Sequence, residues 1–246
     1  MRQYGLIGQR LGHSFSAKYF AEKFQREGLV GECSYELYEL PSIECVADFI
    51  RTTPSLQGFN VTIPYKQQII PYLDSLSREA QDIGAVNCVK ILQDGHTMGY
   101  NTDIDGIRFS LDKLLQGADV DAALLLGTGG ASQAVQYVLA ERNIPFSIVS
   151  RDKSKGNYVY EELSQEIMTA HQLIINSSPV GMYPNVDAAP ALPYEYLTPQ
   201  HYLFDLVYNP TTTRFMVRGA QYGAQTLSGL DMLYAQAEAA WTIWNR

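Results

Sequence analysis

The chain has 246 residues, 46% of them hydrophobic and 18% charged, which suits two modest folded domains better than one oversized core or a disordered polymer. A formal net charge of -8 and a pI near 5.0, with no run of Lys or Arg, exclude a phosphate-backbone-binding surface, so no nucleic-acid partner is expected. No apolar run approaches the ~20 residues of a membrane span, residues 1–8 lack the pattern of a signal peptide, and Cys33, Cys45 and Cys88 fall in no CxxC spacing. A cytoplasmic protein with no membrane contact, disulfide framework or metal site is expected.

In chain order, residues 4–7 read as a strand and residues 16–27 as a helix with Phe20 and Phe24 on one face. A strand at 35–40, a helix at 42–51 with Val46, Phe49 and Ile50 on its inner face, and a strand at 58–63 ending at Pro64 follow. This alternation predicts α/β architecture. A second rhythm begins with a strand at 122–126, a glycine turn, a helix at 132–142 and strands at 146–150 and 173–176, the pattern of βαβ units. Residues 185–199 carry Pro190, Pro193 and Pro199, with Pro184 just before, and read as a surface loop with little regular structure. A strand at 202–207 leads to a last helix at 230–244, whose stripe of Leu230, Leu233, Ala237, Trp241 and Trp244 can return to pack on the first domain.

The turn Gly127-Thr128-Gly129-Gly130-Ala131 follows an apolar strand and opens a helix, the context of a dinucleotide-binding fingerprint. The first glycine permits the tight turn, the second lets the backbone approach a pyrophosphate, and the helix N-terminus offers N–H groups and a favourable dipole. The bland alternative is an ordinary strand-to-helix connection. Arg151 lies 24 positions after Gly127, at the end of the next strand, where an arginine accommodates a 2′-phosphate and an acidic residue binds ribose hydroxyls. With Lys153 and Lys155 nearby it favours NADP, although Asp152 can either turn away or compete for a ribose.

Four polar clusters near strand ends are candidates for the chemistry: Ser14-Phe15-Ser16, Asn60 to Lys66, Ala85-Val86-Asn87 and Asn101-Thr102-Asp103. Each alone has a bland reading: Ser14 or Ser16 as a helix cap, Asn60 as a turn residue, Lys66 as a solvated side chain. His13, His96, His171 and His201 show no metal-ligand spacing, and Trp241 and Trp244 are more simply packing residues.

Together these segments resemble the shikimate/quinate dehydrogenase family nearly end to end. The resemblance rests on Gly8 with Ser14-Phe15-Ser16, Phe59-Asn60-Val61-Thr62-Ile63-Pro64-Tyr65-Lys66, Gly84-Ala85-Val86-Asn87 and Gly99-Tyr100-Asn101-Thr102-Asp103. It continues through the Gly127 turn, Asn176-Ser177-Ser178-Pro179-Val180-Gly181-Met182, Asp205-Leu206-Val207-Tyr208-Asn209-Pro210 and Gly229-Leu230-Asp231-Met232-Leu233 with Gln236. It implies an α/β protein of two domains: an α/β substrate domain at 1–103 with 229–246, and a Rossmann-like NADP-binding domain at 104–228.

The resemblance further implies reversible NADPH-dependent reduction of 3-dehydroshikimate to shikimate in chorismate and aromatic amino-acid biosynthesis, by a monomer or homodimer. Lys66 and Asp103 are then the catalytic pair. Ser14 and Ser16 would hold the substrate carboxylate; Asn60, Thr62, Asn87, Tyr208 and Gln236 would complete the substrate site. Gly127, Gly129, Gly130, Ala131, Ser150, Arg151, Lys155, Val207 and Gly229 would hold NADP. Chemically, an ammonium at Lys66 can deliver a proton to the carbonyl oxygen as hydride arrives, and Asp103 can orient it. Asp152 stands where many relatives carry Thr, and Asp105 where they often carry Gly. The rival readings are an NAD-preferring quinate/shikimate dehydrogenase and a non-catalytic shikimate-binding regulatory module.

Overall fold

A computed structural model describes residues 1–12 and 14–246; His13 lies outside the described residues. The chain forms two compact units, Met1–Thr102 with Ala237–Arg246, and Asp103–Gln236.

In the first unit, strand β1 (Arg2–Gly8) leads to helix α1 (Phe15–Arg26) and β2 (Cys33–Glu39), then α2 (Val46–Thr52) and β3 (Leu56–Val61). A short α3 (Tyr65–Gln68), β4 (Ser75–Leu76), α4 (Arg78–Ile83), β5 (Cys88–Ile91) and β6 (Thr97–Tyr100) complete it. The sheet order is β2-β1-β3-β5-β6-β4. β1 runs parallel to both β2 and β3, whereas β5 is antiparallel to β3 and β6.

Alternation along β1 feeds two cores. Tyr4 and Leu6 join Phe20, Phe24, Tyr35, Ala237 and Trp244, while Ile7 joins Phe49, Phe59, Val61 and Val89. Trp244 stacks on Tyr4 with ring centroids 4.9 Å apart, and its indole N–H donates to the Val89 carbonyl at 3.0 Å. Gly58 admits that ring, because a Cβ there would sit 2.3 Å from Trp244 Cδ1. Each fully buried large apolar side chain of this kind contributes about 1.5–3 kcal/mol.

The second unit begins with α5 (Asp103–Leu115), then β7 (Ala123–Leu126), α6 (Gly130–Glu141), β8 (Phe146–Val149), α7 (Gln165–Ala170) and β9 (Leu173–Asn176). It continues through β10 (Tyr202–Asp205), α8 (Arg214–Gln221), β11 (Gln225–Ser228) and α9 (Leu230–Trp244), the last helix passing into the first unit at Ala237. All five strands are parallel in the order β11-β10-β9-β7-β8. β7 therefore has β8 on one side and β9 on the other, the topological switch point at which open α/β sheets bind ligands.

Several expected elements differ in detail. The helix expected at 42–51 divides into a 3-10 turn at Ile43–Cys45 and α2. The strand expected at 58–63 leaves the sheet after Val61, and the one at 202–207 stops at Asp205, where its carboxylate turns the chain by accepting from the Val207 N–H. The proline-rich 185–199 segment is not simply a surface loop. Leu192, Tyr194 and Leu197 are buried in the core of the second unit, so it spends its apolar residues as a lid on α7 and α8. The β5–β6 hairpin was not expected, although Asp94-Gly95 at its tip, with Gly95 at φ +87°, is a hairpin-turn pair.

Candidate active site

In the first unit the strand directions gather the polar clusters at one sheet edge. β1 and β3 run parallel and end there; β5, antiparallel to β3, begins there with Asn60 opposite Cys88; β6, antiparallel to β5, ends there with Tyr100 opposite Cys88. Thus Ser14 and Ser16 follow β1, Thr62 and Lys66 follow β3, Asn87 precedes β5, and Asn101 and Thr102 follow β6. Ser14 occupies the N-cap position of α1 in extended conformation, but its side chain makes no capping bond to that helix. Ser16, Thr62 and Lys66 are half-buried.

A buried polar chain runs behind this edge. The Tyr35 hydroxyl donates to Asn60 Oδ1 at 2.8 Å, and Asn60 Nδ2 donates to the Asn87 carbonyl at 3.1 Å. Asn87 Oδ1 in turn accepts from the Thr102 backbone N–H at 2.7 Å and from Thr102 Oγ1 at 3.2 Å. A backbone N–H can only donate, so the Asn87 amide is locked with its oxygen toward Thr102 and its NH₂ turned away from it. Asn101 Nδ2 ties the next turn to the Ala85 carbonyl at 3.0 Å, and the Lys66 carbonyl accepts from the Val86 N–H at 2.7 Å. Burial pushes the Tyr35 phenol far above its ordinary range, so it stays a neutral donor.

In the second unit, Gly127 adopts φ +106°, a left-handed conformation that suits glycine, and a Cβ there would sit 3.2 Å from Ser178 Cβ. Its N–H donates to the Val149 carbonyl at 3.0 Å, and Ser177 Oγ donates to the Leu126 carbonyl at 2.9 Å, so the turn is braced from both flanking strands. Gly129 is the N-cap of α6 with no side-chain cap, and a Cβ at Gly129 or Gly130 would meet nothing within 4 Å. An open helix N-terminus of this kind fits an anionic pyrophosphate, and the residues present fit a bound dinucleotide.

At the end of β8, Ser150 is buried and Arg151 exposed. The Asp152 carboxylate caps the next turn: its Oδ1 accepts from Ser154 N–H at 3.0 Å and Ser154 Oγ at 2.7 Å, and Oδ2 lies 3.6 Å from Lys155 Nζ. These donors hold its pKa below the ordinary value, led by the Ser154 hydroxyl. Asp152 has thus turned into its own turn.

Asp205 closes the sheet edge. Fully buried, it accepts from Asn176 Nδ2 at 2.9 Å, Val207 N–H at 3.0 Å and Thr213 Oγ1 at 2.6 Å. Burial outweighs these donors and pushes its pKa up to about 6. Asn176 Oδ1 accepts from Ser178 N–H and Oγ, so this carboxylate fixes the loops after both β9 and β10. Gly229 lets two chain segments touch, since a Cβ would lie 2.2 Å from the Leu206 carbonyl oxygen, and its N–H donates to the Val207 carbonyl at 3.1 Å. Asp103 and Asp105 lie in the first turn of α5, where the helix dipole favours negative charge. Tyr208 is exposed, and Gln236 Nε2 donates to the Leu233 carbonyl at 3.0 Å. Among the described residues no group of three His, Cys, Asp or Glu side chains can hold a metal, and no helix is long and apolar enough to cross a membrane. Tyr35, Asp205 and Thr213 were missed by sequence reasoning. Nothing distinguished Tyr35 among 17 tyrosines, while Asp205 lay within a recognised motif without an assigned role.

A parallel sheet with an open glycine turn at its switch point, joined to a second α/β unit with a polar sheet edge, defines a two-unit α/β protein of the dinucleotide-binding class. The shikimate dehydrogenase substrate binding domain matches residues 6–89. The shikimate dehydrogenase (NADP(+)) of Methanococcus maripaludis strain C6 is 36% identical over 257 residues, spanning 98% of this chain and 90% of that protein. The shikimate 5-dehydrogenase of Thermus thermophilus, solved in complex with NADP(H) and shikimate, has a TM-score of 0.86 at 30% identity over 99% of this chain and 93% of that one. The quinate dehydrogenase of Corynebacterium glutamicum in complex with NAD has a TM-score of 0.88 at 26% identity, over 99% and 93% respectively. The chain belongs to the shikimate dehydrogenase family.

Proposed function

We propose that this chain catalyses the reversible, NADPH-dependent reduction of 3-dehydroshikimate to shikimate, a step of chorismate and aromatic amino-acid biosynthesis. The observation that carries this reading is the relationship to NADP-dependent shikimate dehydrogenases over nearly the whole chain. The division of the chain after Thr102 and after Gln236 supports a substrate domain built from both termini and an inserted cofactor domain, at about 1–103 with 229–246 and 104–228. The protein acts in the cytoplasm as a monomer or homodimer.

Gly127, Gly129, Gly130 and Ala131 hold the pyrophosphate, Ser150, Arg151 and Lys155 the adenosine phosphate side, and Val207 and Gly229 the nicotinamide side. NADPH bound there supplies the hydride. Ser14 and Ser16 hold the substrate carboxylate by hydroxyl donation, Thr62, Asn87, Asp103 and Gln236 hold the ring hydroxyls, and Tyr208 borders the substrate. The locked amide of Asn87 supports this role, because it offers N–H donors. Asn60 has both ends of its amide engaged by Tyr35 and Asn87, which favours a bracing role over direct substrate contact. Lys66 donates a proton to the carbonyl oxygen as the alkoxide develops, and Asp103 accepts a hydrogen bond from the ammonium to orient it.

The reading is tested by following absorbance at the nicotinamide band with shikimate and quinate, each paired with NADP and NAD. Shikimate with NADP is expected to give the highest kcat/KM. A second reading, a quinate dehydrogenase using NAD, is favoured by the likeness to the Corynebacterium glutamicum enzyme, and quinate with NAD as the best pair would establish it in place of the first.

A further inference from the structure

We infer that Tyr35 is a positioning residue for shikimate binding, setting the substrate-facing polar groups from behind without touching the substrate itself. This rests on the reading of Asn87 as a substrate ligand.

Tyr35 lies on β2, one strand beyond β1, and its ring is packed on Phe20 with centroids 4.4 Å apart. Its hydroxyl reaches the polar cluster that begins at Asn60 from behind. It donates to Asn60 Oδ1 at 2.8 Å, at the end of β3. Asn60 passes the constraint to the Asn87 backbone, whose side chain is fixed by Thr102. One buried phenol thus braces, through Asn60, the placement of Asn87, 52 positions further along the chain.

The aromatic packing and the hydrogen bonding of Tyr35 are separable. Tyr35→Phe keeps the stack on Phe20 and removes only the hydroxyl, leaving Asn60 Oδ1 buried without its donor. A tyrosine present only to fill the core would lose thermal stability on this change with no effect on substrate affinity. A positioning tyrosine changes one ligand's affinity selectively.

The test measures kcat and KM for shikimate and NADP, with thermal unfolding, in the wild type, Tyr35→Phe, Asn60→Ala, Ser16→Ala and Asn87→Ala. Asn60→Ala cuts the same chain one residue further on and reports on it independently should Tyr35→Phe fail to fold. Expected for both Tyr35→Phe and Asn60→Ala is a rise of about five- to twentyfold in the shikimate KM, with the NADP KM unchanged and kcat within about twofold. In Tyr35→Phe combined with Asn60→Ala the rise should fall short of the product of the single effects. If Ser16→Ala and Asn87→Ala raise the shikimate KM while Tyr35→Phe and Asn60→Ala do not, the positioning role is overturned and the substrate site stands. If Ser16→Ala and Asn87→Ala leave that KM unchanged, the reading of the site falls and the role of Tyr35 with it.

Discussion

The two units present their chemistry in opposite ways. In the second, the glycine turn, the helix it opens and the arginine after the next strand lie within 25 consecutive residues, 127–151, joined by one βαβ connection. In the first, Ser14, Ser16, Lys66, Asn87 and Thr102 are spread over 89 residues and reach one sheet edge only because β1, β3 and β6 end where β5 begins. A site made of backbone amides at a helix end is local by construction. A site made of side chains on a sheet edge is as dispersed as the strands that carry it.

The dispersed site should fail in single, separable functions, and its largest expected loss belongs to Lys66. Lys66→Ala should lower kcat by about a thousandfold, since a general acid contributes roughly 10²–10⁴. The shikimate KM should change far less, because the group acts on charge that develops only in the transition state. Steady-state kinetics in both directions checks this; near-normal turnover removes Lys66 from the mechanism.

The second unit should instead fail as a framework, and Asp205, at the end of β10, is where that is expected to show. At low pH its carboxyl is protonated in folded and unfolded chains alike. Between its ordinary 3.8 and about 6 the folded chain keeps a proton that the unfolded chain releases. The stabilisation is therefore complete below the unfolded pKa and is lost as pH rises through about 6, an effect of about 3 kcal/mol. Asp205→Asn removes this titration. Urea unfolding at roughly pH 4 and 7 should show the wild type losing about 2 kcal/mol more than the variant over that interval. Parallel pH profiles of the two proteins would show that Asp205 does not titrate there.

This contrast also explains what the sequence disclosed. The strand at Leu173–Asn176 and the helix at Leu230–Trp244 were legible to the residue, because an unbroken apolar run and an apolar stripe each specify one structure. The glycine turn was legible because its mechanism is written in adjacent residues. The Tyr35–Asn60–Asn87 chain was not, because hydrogen bonding across three strands leaves no periodicity in any of them. The buried segment around Leu192 and Tyr194 was hidden by its prolines, which mark irregular backbone but say nothing of burial. The candidate substrate residues were nameable only through resemblance, since each taken singly had a structural explanation of equal weight.

The smallest expected effects lie at the rim of the cofactor unit, where exposure weakens charge. Arg151→Gln should raise the NADP KM by about tenfold and leave that of NAD nearly unchanged, because only NADP carries the 2′-phosphate. Asp152→Asn is the subtler change. Asn keeps an oxygen to accept from Ser154, so the turn stays capped, while one negative charge beside Lys155 is removed. The NADP KM should then fall by about two- to threefold, the modest gain expected of an exposed charge screened by solvent and salt. Measuring both variants with both cofactors at low and high ionic strength separates the cases. An equal response of NADP and NAD would mean that this turn shapes the adenosine side without reading the phosphate, and the preference for NADP would have to arise elsewhere in the second unit.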